Sequence, residues 1–415
     1  MAFQMPDDAP ASRSSTFAAL KHRNFRLMWA GNFISNSGDW IDQVALNWLV
    51  ISTTGSPIYL GLVNLARGLP LILFALIGGA VADRMDRRRM MMVTQTIAMI
   101  IAITLAVLVY TGHAPIWAIL TLATARGVLI AFNTPARHSL VSELVPREDL
   151  GSAVALNSVM LNMSKVLGPL LSALILAGFG VAACFAVNAV SFTAVLVMLA
   201  LIDLPPKPVR EARRDSLLAS VAEGAVYLRH QPTLLLLVLV ALVPTFLAQP
   251  YVQLLALFSH DVFNAGSSGL GVMVAVASCG SICGGLFAAW VQRDARKGSV
   301  MLGFMGGFGA SLVAFALAPT LAAALPLLFC AGFMHVAYNS SNNTILQMTV
   351  DDEYRGRVLS TLFMTRGLVS LGTATAATMA VVIGARGSMA VMAGLVVVFA
   401  AILWFRAPRL KSLRV

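Results

Sequence analysis

The sequence predicts an all-α membrane protein, with twelve transmembrane helices in two six-helix bundles (a 6+6 pseudo-repeat) around a central cavity. Three observations lead there. First, 58% of the 415 residues are hydrophobic and 11% charged, where a soluble domain carries about 25% charged residues. Second, the apolar residues form long runs at 25–51, 58–82, 92–111, 115–137, 151–177, 180–202, 233–258, 267–291, 299–318, 321–347, 357–382 and 387–406. A helix needs about 20 apolar residues to cross a bilayer, and runs this long and uniform are helices rather than barrel strands. Third, Lys and Arg gather in alternate connections. One side holds Arg84, Arg87, Arg88 and Arg89, then Lys207, Arg210, Arg213 and Arg214, and finally Arg406, Arg409 and Lys411; the opposite loops hold Arg386. The positive-inside rule then puts both termini and the long middle connection in the cytoplasm. The net charge of +11 is explained by this placement, so nucleic acid is excluded as a partner.

Residues 1–24 are polar and read as a cytoplasmic segment without a secretory leader. The first span, 25–51, is the unusual one. Asn32, Asn36, Asp39, Gln43 and Asn47 recur at helical spacing, and Asp42 lies three residues from Asp39, on the same helix side. A carboxylate at a helix centre costs about 2.5–3.5 kcal/mol, and such residues mark functional sites by default. The stripe is expected to line a water-filled cavity; the alternative is a polar seam packed against a neighbouring helix. Trp40 and Trp48 offer stacking surface beside it.

The spans that follow contribute deep cations. Arg67, Arg126 and Lys165 count to mid-depth of their helices, and Arg366 to the inner half of its own. Burial penalises the ionised forms of Asp39 and Asp42, whereas a neighbouring Arg67 or Arg126 favours them. An acid balanced between those effects can take up and release a proton as the cavity changes side. The other reading is permanently ionised structural pairs. Four deep cations against two acids give a cavity that favours anionic or electron-rich substrates.

Residues 203–232 form the only long polar connection, starting with Pro205, Pro206 and Pro208 and continuing as a surface helix. They separate a bundle at 25–202 from a bundle at 233–406, which a cytoplasmic tail at 407–415 follows. The halves match at an offset of 206: Gly78-Gly79 with Gly284-Gly285, and Phe132-Asn133 with Tyr338-Asn339. Internal duplication of this kind belongs to transporters that rock two bundles around a central site. Cys184, Cys279, Cys283 and Cys330 all fall inside spans and read as small packing residues. No metal and no cofactor is expected, and the scattered histidines and the lack of a phosphate loop argue against an enzyme or an ATP-driven pump.

The charged turn after the second span resembles the signature of the major facilitator superfamily: glycine, three residues, aspartate, a base, one residue, glycine and two bases. Here it reads Gly79, Asp83, Arg84, then Arg87 and Arg88, with Asp86 in place of the second glycine. The resemblance implies that these residues form a cytoplasmic gate. At the offset of 206, Asp83 corresponds to Ala289 and Arg87 to Arg293, so this latch is asymmetric. Arg126-Gly127 looks like a reduced form of the family's fourth-helix arginine motif, and Gly168-Pro169 like its antiporter motif. Gly38-Asp39-Trp40, Arg67-Gly68-Leu69-Pro70 and Asn133-Thr134-Pro135-Ala136-Arg137 are similar to the branch that contains the enterobactin exporter, macrolide efflux proteins and transmembrane secretion effectors.

That resemblance implies a monomeric, proton-coupled exporter of small amphiphilic molecules in a bacterial inner membrane. Its partners are the lipid bilayer, a small-molecule substrate and protons. Asp39 and Asp42 would couple protons. Asn32, Asn36, Trp40, Gln43, Arg67, Arg126, Lys165 and Arg366 would shape the cavity. An importer or facilitator of a small anionic metabolite, and a non-transporting membrane scaffold, are the alternatives.

Overall fold

The computed structural model describes residues 17–141, 143–202, 231–291, 297–350 and 365–411. Among them every regular element is helical. In chain order these are α1 (Arg23–Thr54), α2 (Pro57–Arg84), α3 (Arg87–Tyr110), α4 (Ile116–Val141) and α5 (Leu150–Leu201), then α6 (Pro232–Leu247) and α7 (Tyr251–Leu257). A short π-helix, Phe258–Val262, extends α7. The rest are α8 (Gly266–Val291), α9 (Lys297–Leu317), α10 (Leu321–Thr349), α11 (Thr365–Arg406) and the four-residue α12 (Pro408–Lys411).

The boundaries have local causes. α1 stops at Gly55, which takes φ 59° and returns its N–H to the Ile51 carbonyl, a left-handed cap that glycine adopts without a Cβ clash. α2 and α6 each open with a proline, whose missing N–H costs nothing in the first turn. The expected run at 233–258 is interrupted at residues 248–250, where Pro250 removes a donor and α7 restarts. Asp86 caps α3, its carboxylate accepting the Arg89 N–H at 2.6 Å. The turn there needs no second glycine, because Met85 and Asp86 both keep negative φ.

Nine helices among the described residues are long and apolar enough to cross a membrane, against twelve expected spans. The difference has two sources. α5 and α11 each run through an expected loop, with non-helical backbone at Gly180 (φ 80°) and Gly384 (φ 74°). α1 is left out because its polar stripe lowers its hydropathy. The surface helix expected in 203–232 lies outside the described residues, except for Gln231 and Pro232.

Helical hairpins give the molecule two ends. One carries Gly55, Gly112 and Gly180; the other carries Lys21, Asp86 and Leu150. At the Gly180 end a single hydrophobic cluster joins both halves of the chain. Its first-half members, such as Ile51, Leu60, Leu105, Ile119 and Leu176, all lie in the Gly180-side portions of their helices. At the Asp86 end, a second cluster built on Phe25, Met91, Leu140 and Leu199 contains first-half residues alone. The halves touch along α2 and α11, where a Cβ on Gly61 would lie 2.9 Å from that of Ala377, and along α5 and α8, where one on Gly271 would lie 3.0 Å from the Ala173 carbonyl. Among the described residues, then, the halves share a hydrophobic core at the Gly180 end, and α2 and α11 stay in contact as far as Ile72 and Gly367.

Both terminal segments are packed where they are described. Ala19 is fully buried and its N–H donates to Ser152 Oγ at 3.1 Å. Leu410 is fully buried beside α9, where Ser299 Oγ donates to the Lys411 carbonyl.

Candidate functional site

Two ion pairs sit inside the first half, and glycines at helix crossings put them there. A Cβ on Gly168 would lie 2.5 Å from Trp40 Cβ and 2.8 Å from the Ser37 carbonyl. The α1 and α5 backbones therefore meet at the middle of the polar stripe. Ser164 and Ser172 of α5 donate to the carbonyls of Phe33 and Ile41, both at 3.4 Å, and Pro169 is buried in the same seam. Gly127 of α4 rests directly on the backbone of Arg67 in α2. Because Arg126 is its neighbour, that contact brings two guanidinium groups into the layer of Asp39 and Asp42.

Arg67 Nη1 donates to Asp42 Oδ2 at 2.6 Å, and both side chains are buried, 11% and 6% exposed. Arg126 Nη2 is paired with Asp39 Oδ1; Arg126 is 7% exposed and Asp39 28%. The Arg126 guanidinium also lies 4.8 Å from the centroid of the Phe192 ring, a cation–π contact. A cavity of about 10 Å³ is lined in part by Asp42, Arg67, Arg126 and Asn188, about the volume one water requires. Arg126 Nε has no hydrogen-bond partner among the described residues.

The rest of the stripe divides by depth. Asn64 of α2 receives Gln43 Nε2 at 3.0 Å and donates to Asn47 Oδ1 at 2.9 Å. Asn36 Oδ1 accepts from Arg137 Nη1 at 3.0 Å, and its amide donates to the Asn32 carbonyl at 2.7 Å. Asn32 and Asn47 are buried, while Asn36, Trp40 and Gln43 are half-buried. The stripe is thus a packed seam at both ends and open in the middle, at Asp39. Lys165 is exposed although it lies within α5.

At the Asp86 end, Arg87 pairs with Glu143, Arg88 Nη2 donates to the Ala200 carbonyl at 2.9 Å, and His22 meets Asp149 at 2.7 Å. All of these join first-half elements. The side chains of Asp83, Arg84 and Arg366, and the surroundings of Gly79, lie outside the described residues. Sequence reasoning did not single out Asn64, Glu143, Asn188 or Phe192. Asn64 carried a signal, being three residues from Arg67 and so on its helix side; the others are joined to the site only by tertiary packing.

The chain matches the family model described as transmembrane secretion effector over residues 14–414. It is 28% identical over 356 residues to the staphyloferrin A transporter of Staphylococcus aureus, covering 84% of this chain and 87% of that one. It is 25% identical over 358 residues to macrolide efflux protein A of Streptococcus pyogenes, covering 85% and 88%. Among solved structures, its fold is similar to that of a bacterial homolog of the human lysosomal transporter Spinster, with a TM-score of 0.72 at 18% identity, covering 94% of this chain and 99% of that one.

Proposed function

The chain belongs to the transmembrane secretion effector family of the major facilitator superfamily, and from that premise we propose that it is a proton-coupled antiporter that exports small amphiphilic organic molecules by alternating access. It is a multi-pass membrane transporter of small molecules and not an enzyme. The finer reading is twelve spans in two bundles of six. Nine apolar helices, α1 as a tenth, and the breaks in α5 and α11 support the count. Shifted by 206, the bounds of α2, α3 and α4 fall at 263–290, 293–316 and 322–347, beside α8, α9 and α10 at Gly266–Val291, Lys297–Leu317 and Leu321–Thr349. Placed with the basic Asp86 end in the cytoplasm of a bacterial inner membrane, the molecule faces inward, and it works as a monomer.

The observation that carries the coupling reading is the unequal exposure of the two acids. Asp42 is sealed against Arg67, whereas Asp39 reaches the open middle of the stripe while holding Arg126. Asp39 is the proton carrier in this reading and Asp42 keeps Arg67 in place. When the cavity faces the acidic exterior, protonation of Asp39 releases Arg126. When it faces the cytoplasm, Arg126 and the lower proton activity favour the carboxylate, and the proton leaves. Substrate and proton then occupy the first half in alternation. Export, rather than import, rests on the name of the macrolide efflux relative and on the Gly168-Pro169 seam.

The test is macrolide uptake into everted membrane vesicles under an imposed pH gradient. Wild type should accumulate macrolide only while the vesicle interior is acidic. Asp39→Asn should bind macrolide but lose the gradient dependence. Undiminished, gradient-driven uptake by the Asp39→Asn, Asp42→Asn double variant would exclude both acids as coupling groups.

A further inference from the structure

We propose that the C-terminal half of α10 is the polar substrate face of the second half: an uncharged hydrogen-bonding ladder, Asn339, Asn343 and Gln347, that takes the hydroxyl-rich head of a neutral amphiphile. The proposal deepens the transport reading by naming the chemistry of one end of the substrate, and it rests on that reading for the cavity. The three residues recur at every fourth position of one helix, so they share a side. Exposure grows along them: Asn339 is half-buried, and Asn343 and Gln347 are exposed. No Asp, Glu, Lys or Arg occurs between Leu321 and Thr349.

The other sides of α10 are taken. A Cβ on Gly332 would lie 2.1 Å from the Ala277 carbonyl of α8, and one on Gly284 of α8 would lie 2.2 Å from the Phe333 carbonyl. Towards α9, Met334 Sδ would lie 3.1 Å from a Cβ on Gly307, and Tyr338 stacks on Phe308 at 6.0 Å. At 3.6 residues per turn, Asn339 and Asn343 stand about 140° and 180° round the helix from Met334, on the side away from α9. Carboxamides turned to hydrocarbon would give up their hydration, so this side lines the water-filled space of the transport reading.

Within the ladder, Asn343 Nδ2 donates to Asn339 Oδ1 at 2.7 Å. The Asn339 amide N–H groups and the Asn343 carbonyl then have no partner among the described residues, which leaves a donor and an acceptor on adjacent turns. The repeat supplies the reason. At the offset of 206, Asn339 corresponds to Asn133 and Asn343 to Arg137, and Arg137 reaches Asn36 of α1. The counterpart of Asn36 is Leu242 of α6, and those of Asp39 and Asp42 are Thr245 and Ala248. The second half has a polar α10 without the polar partner helix. A pair of neighbouring hydroxyls completes it, because a hydroxyl both accepts and donates: one accepts from the Asn339 amide and the other donates to the Asn343 carbonyl. A carboxylate would set acceptor against acceptor at Asn343, and an ammonium donor against donor at Asn339.

The experiment is equilibrium dialysis of two probes against the purified full-length protein in lipid nanodiscs, with binding to empty nanodiscs subtracted. Wild type should bind 2-naphthyl β-glucoside about tenfold or more tighter than 2-methoxynaphthalene, as two neutral hydrogen bonds imply. The Asn339→Leu, Asn343→Leu double variant should bring the glucoside down to the affinity of 2-methoxynaphthalene. Asn343→Leu alone, at an exposed position, should weaken the glucoside about threefold or more and leave 2-methoxynaphthalene unchanged. Wild-type binding without preference for the glucoside, a preference that survives the double substitution, or equal loss of both probes in Asn343→Leu overturns the proposal. Because binding is read without a proton gradient, gradient-driven macrolide transport with no glucoside preference would end this inference alone, and a glucoside preference without such transport would end the coupling reading alone.

Discussion

The two carboxylates of α1 are chemically identical and three residues apart, yet their surroundings give them different energetics. Asp42 is 6% exposed against an Arg67 that is 11% exposed. Removing one member of such a pair leaves a buried charge uncompensated, which costs about 3–5 kcal/mol. Asp39 is 28% exposed, so water can reach its side of the pair, and Arg126 keeps its contact with Phe192. Asp42→Asn strands Arg67, 11% exposed, and Asp39→Asn strands Arg126, 7% exposed, so each should lower the thermal unfolding temperature in detergent, and adding Arg67→Gln should recover part of the Asp42→Asn loss. No recovery on adding Arg67→Gln would mean that the stranded guanidinium is not the source of that loss. The sequence showed both acids and both arginines as mid-membrane outliers, because charge inside an apolar run is visible by inspection. It did not show which acid takes which arginine, since that depends on how α1, α2 and α4 rotate against each other. Glu143 was invisible as the partner of Arg87 for the same reason: nothing local links residues in different hairpins.

Glycines decide how close those helices come, and only some of them matter. Gly127 lies on the Arg67 carbonyl, whereas a Cβ on Gly303 of α9 would meet nothing within 4 Å. Overpacking costs about 1–3 kcal/mol when side chains can yield, and a backbone carbonyl yields less. Gly127→Val should lower the unfolding temperature by several degrees and impair transport, because it separates Arg67 and Arg126 from the acids they hold. Gly303→Val should leave transport near wild type and cost little beyond helix propensity; if it is as damaging as Gly127→Val, close crossing is not what Gly127 provides. At this scale the apolar runs were well legible, since hydropathy follows from composition over twenty residues. Their breaks were less so. Gly180 and Gly384 turn the chain by positive φ without interrupting the helical hydrogen-bonding pattern for long, and Pro250 divides a run that hydropathy alone leaves whole. Asp86 read as a departure from the family turn; its role as the α3 cap became clear from the backbone that supplies Arg89 N–H.

For the whole molecule, the distribution of hydrophobic clusters makes a claim about access. The cluster at the Gly180 end joins the halves, and that at the Asp86 end does not cross between them among the described residues. Lys165, exposed within α5, should then be reachable from the cytoplasm and shielded from outside. In a background with Cys184, Cys279, Cys283 and Cys330 replaced, Lys165→Cys should react with a membrane-impermeant maleimide in everted vesicles and not in right-side-out ones. The seal itself can be held. A Cβ on Gly61 would lie 2.9 Å from Ala377 Cβ, and a disulfide, whose Cβ atoms sit about 3.5–4.5 Å apart, requires α2 and α11 to separate by roughly 0.6–1.6 Å there. Gly61→Cys with Ala377→Cys should therefore oxidise readily, stop transport and recover on reduction. While the disulfide holds, labelling of Lys165→Cys from the cytoplasmic side should continue. Transport that persists through the cross-link would mean that α2 and α11 do not part at this end during the cycle, and the alternating-access reading would have to be abandoned for a pathway that leaves that seam closed.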